Sequence, residues 1–93
     1  MEKLTVFYLQ NCPYCKKARE ALEELKAENP SYGNVEMEWI EETVHPEIAD
    51  KYDYYRVPSI FCGNDKLYEC DPSHDYAEIK RQFGLALAAA AGV

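Results

Sequence analysis

Leu4-Thr5-Val6-Phe7-Tyr8-Leu9, then Gln10-Asn11, then Cys12-Pro13-Tyr14-Cys15, is the stretch that decides how this chain is read. The first run is almost continuously apolar, which suits a strand over residues 3–9 buried on both faces. From Pro13 the apolar period changes. Ala18, Ala21, Leu22 and Leu25 fall on one helical face, with Lys17, Glu20, Glu23, Glu24 and Glu28 largely on the other, so residues 13–29 read as a helix. The two cysteines therefore stand at a strand-to-helix junction, two residues apart, as a dithiol that can open and close as a disulfide. Pro13 suits the first helical position, where its missing N–H would be unpaired anyway. The first amides of a helix lack intrahelical partners and its dipole is positive there. Cys12 is thus favoured as a thiolate, the reactive form, and Lys16 and Lys17 add positive charge one turn on. In an intracellular chain with a βαβ pattern such a dithiol points to redox chemistry.

Working outward, Asn29-Pro30-Ser31-Tyr32-Gly33-Asn34 is a loop full of breakers. Residues 35–40 alternate apolar and acidic and read as a second, less buried strand. A short helix opens at Thr43 or His45 and runs through about Asp53, with Pro46 early in it and Ile48, Ala49 and Tyr52 facing inward. Residues 57–62 are a third strand. Gly63-Asn64-Asp65 turns the chain, and residues 66–69 return as a fourth strand. Asp71-Pro72-Ser73 opens a last helix with Tyr76, Ile79, Phe83 and Leu87 on one face. The alanine-rich residues 86–91 either continue it or fray. The order is β-α-β-α-β-β-α. Its first βαβ unit makes a parallel pair with a right-handed crossover, and the closing hairpin adds antiparallel pairing. The expected class is α/β, with a four-stranded mixed sheet and helices on both faces.

The 93 residues suit one domain spanning 1–93. A net charge of −7, spread along the chain, disfavours nucleic acid and anionic membrane surfaces as partners. No run of about 18 apolar residues is present to span a bilayer. Met1-Glu2-Lys3 does not resemble the start of a signal peptide. The expectation is a cytoplasmic, monomeric protein, in a compartment where disulfides are usually transient and catalytic.

At this point the residues resemble a family. Cys12-Pro13-Tyr14-Cys15 is similar to the dithiol motif of glutaredoxins, within the thioredoxin superfamily, and Val57-Pro58 resembles the Val-Pro that faces that dithiol. The resemblance implies a thioredoxin-like, glutaredoxin-type fold and a cis peptide bond before Pro58. It also implies that Cys70-Asp71 lies where the family binds the amino end of glutathione. Tyr14, Val57, Pro58, Cys70 and Asp71 are the expected substrate-binding residues. His45-Pro46-Glu47-Ile48-Ala49-Asp50-Lys51-Tyr52 looks more like the corresponding thioredoxin segment. Three positions depart from the glutaredoxin pattern: Leu9 stands where a basic residue is usual, Arg56 replaces threonine, and Tyr68-Glu69 replace a Gly-Gly pair. Tyr68 and Glu69 are expected to crowd a ligand there, and Glu69 to repel its carboxylates, while Arg56 restores one positive charge.

The expected chemistry is thiol–disulfide exchange on protein disulfides or glutathione mixed disulfides. Cys12 attacks first, and Cys15, more buried, resolves the mixed disulfide into a Cys12–Cys15 redox-active disulfide. Glutathione or a protein reductase then reduces that pair. No tightly bound cofactor and no metal are expected. A zinc site from Cys12, Cys15, Cys62 and Cys70 is the sharpest rival, but Cys62 and Cys70 are too widely spaced for a ligand pair. Cys62 reads as a small hydrophobe at a strand end. Cys70 is expected near Pro58 by hairpin pairing, as an inert thiol or part of the site. Two other readings remain open: a thioredoxin-like protein served by a flavoprotein reductase, and a redox-switched binding module.

Overall fold

A computed structural model describes residues 2–92; Met1 and Val93, the ends of the expected 1–93 domain, lie outside them. The elements run β1 (Leu4–Tyr8), α1 (Pro13–Glu28), a 3-10 turn (Pro30–Asn34), β2 (Met37–Glu41), α2 (Pro46–Ala49), β3 (Ser59–Cys62), β4 (Asp65–Glu69) and α3 (Tyr76–Ala91). The sheet order is β2-β1-β3-β4. β1 pairs parallel with β2 and antiparallel with β3, which pairs antiparallel with β4. This is the mixed α/β sheet that the element order implied, in the thioredoxin-like arrangement that the resemblance implied.

Side chains of β1 alternate between two cores, as a central strand requires. Leu4 and Val6 point to the α1 and α3 side, where they meet Ala18, Leu22, Leu25, Ile79, Phe83 and Leu87. Phe7 points to the α2 side, with Ile40, Ala49 and Phe61. Phe7, Phe61 and Phe83 are fully buried, each stabilising the fold by about 1.5–3 kcal/mol through apolar area removed from water.

Several boundaries differ from the sequence reading, each for a physical reason. The second strand starts at Met37, because Val35 is buried as the residue closing the 3-10 turn. The second helix stops at Ala49 instead of reaching Asp53. The rings of Tyr52 and Tyr54 both lie 4.8 Å from that of Phe7. Residues two apart fall on nearly opposite faces of a helix, so both rings reach Phe7 only once the helix has ended.

The third strand begins at Ser59. The hairpin turn is the pair Gly63-Asn64, with Cys62 opposite Asp65 and Gly63 at a positive φ of 59°; glycine reaches that region without steric cost. The last helix starts at Tyr76, not at 71–73. Asp71 spends its Oδ1 on the amide of Ser73 (2.9 Å) and its hydroxyl (2.7 Å), an Asx turn that bends the chain. Asp75 then caps the helix by accepting from the amide of Glu78 at 2.9 Å. The alanine run continues α3 to Ala91, closed by Gly92 in the left-handed region at φ 82°.

Candidate functional site

Cys12 is the N-cap of α1, with Pro13 as the first helical residue. Its amide donates to the carbonyl of Leu9 (3.3 Å), and its carbonyl accepts from the amide of Lys16 (3.0 Å). Cys12 is half-buried and Cys15 fully buried; both are free thiols. The Cys15 thiol is pushed up to about 12, first by burial and then by the charge and hydrogen bond of neighbouring Cys12, with the Leu9 amide and Arg19 opposing. Burial in an apolar setting keeps that sulfur protonated; Cys12 holds the more accessible position, at the positive end of the helix dipole.

The strand register carries the facing wall. Phe7 lies opposite Ser59, so the segment entering β3 comes alongside Leu9 and the loop that holds Cys12. There the Val57–Pro58 peptide bond is cis. Pro58 is fully buried, and its carbonyl accepts from the amide of Cys70 at 3.0 Å. Tyr14, Val57, Cys70 and Asp71 line one groove of about 270 Å³ with Leu9 and Arg56. The fold thus gathers onto one wall the substrate-site residues named from the sequence, with Pro58 buried behind Val57. Cys12 itself opens onto the adjoining depression with Asn11, Lys16 and Arg19.

Two anchors shape the groove. The hydroxyl of Tyr14 donates to the carbonyl of Pro72 at 2.9 Å, and Lys17 lies 5.4 Å from the centre of its ring. The Glu69 carboxylate accepts from the amides of Tyr55 (3.0 Å) and Arg56 (2.9 Å) and pairs with Lys66 at 2.7 Å. Burial works to raise its pKa, but these partners together hold it below the ordinary glutamate value.

The expected crowding by Tyr68 is therefore corrected, while Glu69 borders a depression with Tyr55, Arg56, Cys70 and Asp71. Tyr68 is buried in the α1/α3 core, with its hydroxyl 2.8 Å from Nδ1 of His74. Glu69 spends its charge on the backbone that leads to Pro58. Alternation along β4 sends Tyr68 to the core face and Glu69 to the other, where the amides of Tyr55 and Arg56 meet its carboxylate.

Asp71 is held below the usual carboxylate range, chiefly by Ser73 and further by Arg56, whose guanidinium lies 3.3 Å away. Burial pushes the Cys70 thiol up, with the charge of Cys12 adding to the effect. Cys62 lies at the far end of the sheet from the dithiol, where its thiol donates to the Glu2 carboxylate at 2.8 Å, so the four cysteines do not converge. Glu42 and Pro72 also line the groove and were not singled out as site residues. Only the tyrosine-rich run before Arg56 hinted at Tyr55.

A sequence model of the glutaredoxin family matches residues 4–67, most of the chain and all of the strand–dithiol–Val-Pro framework. The chain belongs to the glutaredoxin family. No curated protein matches it. Among solved structures, a malarial protein is similar at 14% identity, with 87% of this chain and 91% of that one covered and a TM-score of 0.59. Thioredoxin 1 from the thermophilic eubacterium Thermosipho africanus TCF52B is similar at 13% identity, with 94% and 96% covered and a TM-score of 0.59. At such identities the likeness is one of fold. A glutaredoxin assignment carries thiol–disulfide oxidoreductase chemistry in general. Among the described residues, no helix is long and apolar enough to cross a membrane.

Proposed function

We propose that this glutaredoxin reduces protein disulfides and glutathione mixed disulfides through Cys12 and Cys15, as a monomer in the cytoplasm. The observation that carries the reading is the asymmetry of the pair: a half-buried Cys12 at the helix N-cap and a fully buried, proton-holding Cys15 one turn on.

In this mechanism the Cys12 sulfur attacks one sulfur of the substrate disulfide. A Cys12–substrate disulfide forms, the substrate S–S bond breaks, and the departing thiolate takes a proton. Cys15 then gives up its proton and attacks the Cys12 sulfur. The mixed disulfide breaks, the substrate leaves with two electrons gained, and Cys12–Cys15 becomes the disulfide. Two thiols of glutathione return those electrons and leave as glutathione disulfide. The backbone edge at Val57 lies along the substrate chain, Tyr14 and Cys70 border it, and Asp71 receives the amino end of glutathione.

Substitution separates the two cysteines. Cys12→Ser abolishes reduction of bis(2-hydroxyethyl) disulfide and of insulin. Cys15→Ser traps a mixed disulfide on Cys12, visible as added mass that a strong reductant removes. Full activity in the Cys12→Ser protein overturns the assignment.

A second reading, recycling by a flavoprotein reductase in place of glutathione, is favoured by one observation. Both carboxylate oxygens of Asp71 are engaged, one by Ser73 and one by Arg56. Coupled assays with glutathione alone and with a reductase alone decide between them.

A further inference from the structure

A second concavity, of about 520 Å³, lies beyond Tyr55, between the end of β2 and α2. Its aromatic wall is Tyr52, Tyr54 and Tyr55, and its charged groups are Glu42 and Asp50; no cationic side chain lines it among the described residues. Glu42 and Tyr55 also line the groove of Tyr14, Val57 and Cys70, so the two concavities meet across these residues.

The wall is preorganised. The Tyr54 ring stacks on Phe7 at 4.8 Å, and Tyr52 packs on Phe61 at 4.9 Å. The Tyr54 hydroxyl donates to Oε1 of Glu42 at 2.7 Å, which fixes that carboxylate and leaves its other oxygen for an outside donor. The phenol of Tyr54 is pushed up first by burial, then by its bond to Glu42 and by the charges of Glu42 and Asp50, so both carboxylates act on one point in the cleft. Tyr55 is 89% exposed, yet the Glu69 carboxylate pins its backbone amide. Lining both concavities, Tyr55 can contact whatever fills both.

We propose that this cleft is a specificity pocket for a lysine or arginine side chain of a disulfide-bearing protein, seated while the substrate chain lies along the adjoining groove of Tyr14 and Val57 and presents its disulfide to Cys12. Aromatic faces and paired carboxylates are complementary to a cation on a flexible apolar stem. The inference rests on the dithiol reading above and deepens it by naming the substrate class. The chain's overall charge of −7 attracts any cation from a distance; the cleft adds dependence on where the cation sits relative to the disulfide.

The test uses short peptides closed by one disulfide, with lysine, glutamine or glutamate scanned through the positions flanking each cysteine. At the best position, lysine exceeds glutamate in kcat/KM by about tenfold, the sum of an attraction for lysine and a comparable repulsion of glutamate near a surface. That ratio falls to about twofold in Glu42→Gln/Asp50→Asn, as the cleft loses its charges. Glu20→Gln/Glu23→Gln, on the exposed face of α1 at the opposite side of the sheet, changes net charge equally and keeps the ratio. Should the cleft variant misfold, wild-type protein still decides, because only a seated cation gives a preference confined to particular positions.

Equal rates for lysine and glutamate at every position overturn the proposal, as does an equal fall in both double variants. A concentration-dependent dimer that Glu42→Gln/Asp50→Asn abolishes also overturns it, since a second copy of the chain then fills the cleft. Turnover of bis(2-hydroxyethyl) disulfide, which carries no charge, reports separately on the dithiol reading.

Discussion

The hydroxyl of Tyr14, between the two cysteines, donates 2.9 Å to the carbonyl of Pro72, in the turn that follows β4. One hydrogen bond thus couples the first turn of α1 to the wall that carries Cys70 and Asp71. Tyr14→Phe keeps the ring and removes the bond. The expected cost in urea unfolding is about 1 kcal/mol or less, since the bond is exposed. KM for a peptide disulfide rises several-fold while kcat holds, because the groove loosens and the sulfurs stay in place. An unchanged KM shows that the tie does not shape the groove.

Glu69 clamps the segment ahead of Pro58 by accepting from two successive amides. Glu69→Ala removes the shared acceptor of both amides and the partner of the Lys66 ammonium. A loss of about 1 kcal/mol is expected from denaturant titration, because the amides are exposed and water takes up the freed donors. Glu69→Gln, which keeps an acceptor oxygen, recovers part of it. Equal effects of the two substitutions contradict the clamp.

Cys15 carries an alkaline liability in the reduced protein. Its folded-state value, near 12, lies above the ordinary thiol value of 9.0. Between the two the unfolded chain has released the proton and the folded one still holds it, so stability falls as pH rises through that window. Buried Cys70 and Tyr68 are shifted in the same direction. Urea midpoints measured under reductant should drop from pH 8 to pH 10.5, and the drop should be smaller in Cys15→Ala. An identical slope in the two proteins excludes Cys15 as a source.

Asp75 caps α3 through the amide of Glu78. Asp75→Ala is expected to cost about 1 kcal/mol, and Asp75→Asn much less, because asparagine still presents an acceptor oxygen. Thermal unfolding monitored by circular dichroism checks the order. A larger loss for asparagine than for alanine is incompatible with the cap.

The four strands, the two long helices and the dithiol at the start of α1 were legible in the chain itself. Apolar periodicity and the placement of Pro13 are local properties that reach the structure unchanged. Element ends were less legible. Tyr52 is helix-compatible in isolation, yet the ring pocket around Phe7 and Phe61 takes both its ring and that of Tyr54, which one continuous helix could not present together. Asp71 looks like a helix cap until its carboxylate closes on Ser73 two residues on.

Sequence alone therefore determined the order of elements, the position of Cys12 at a helix start and the resemblance that placed Val57-Pro58 opposite it, since spacing along one chain is enough for each. Tertiary structure decided which way Tyr68 and Glu69 point, that Arg56 meets Asp71, and that Glu42, Asp50 and three tyrosines close around a common cleft. Those relations join residues from different elements, and they exist only once packing on both faces of the sheet has set the distances between them.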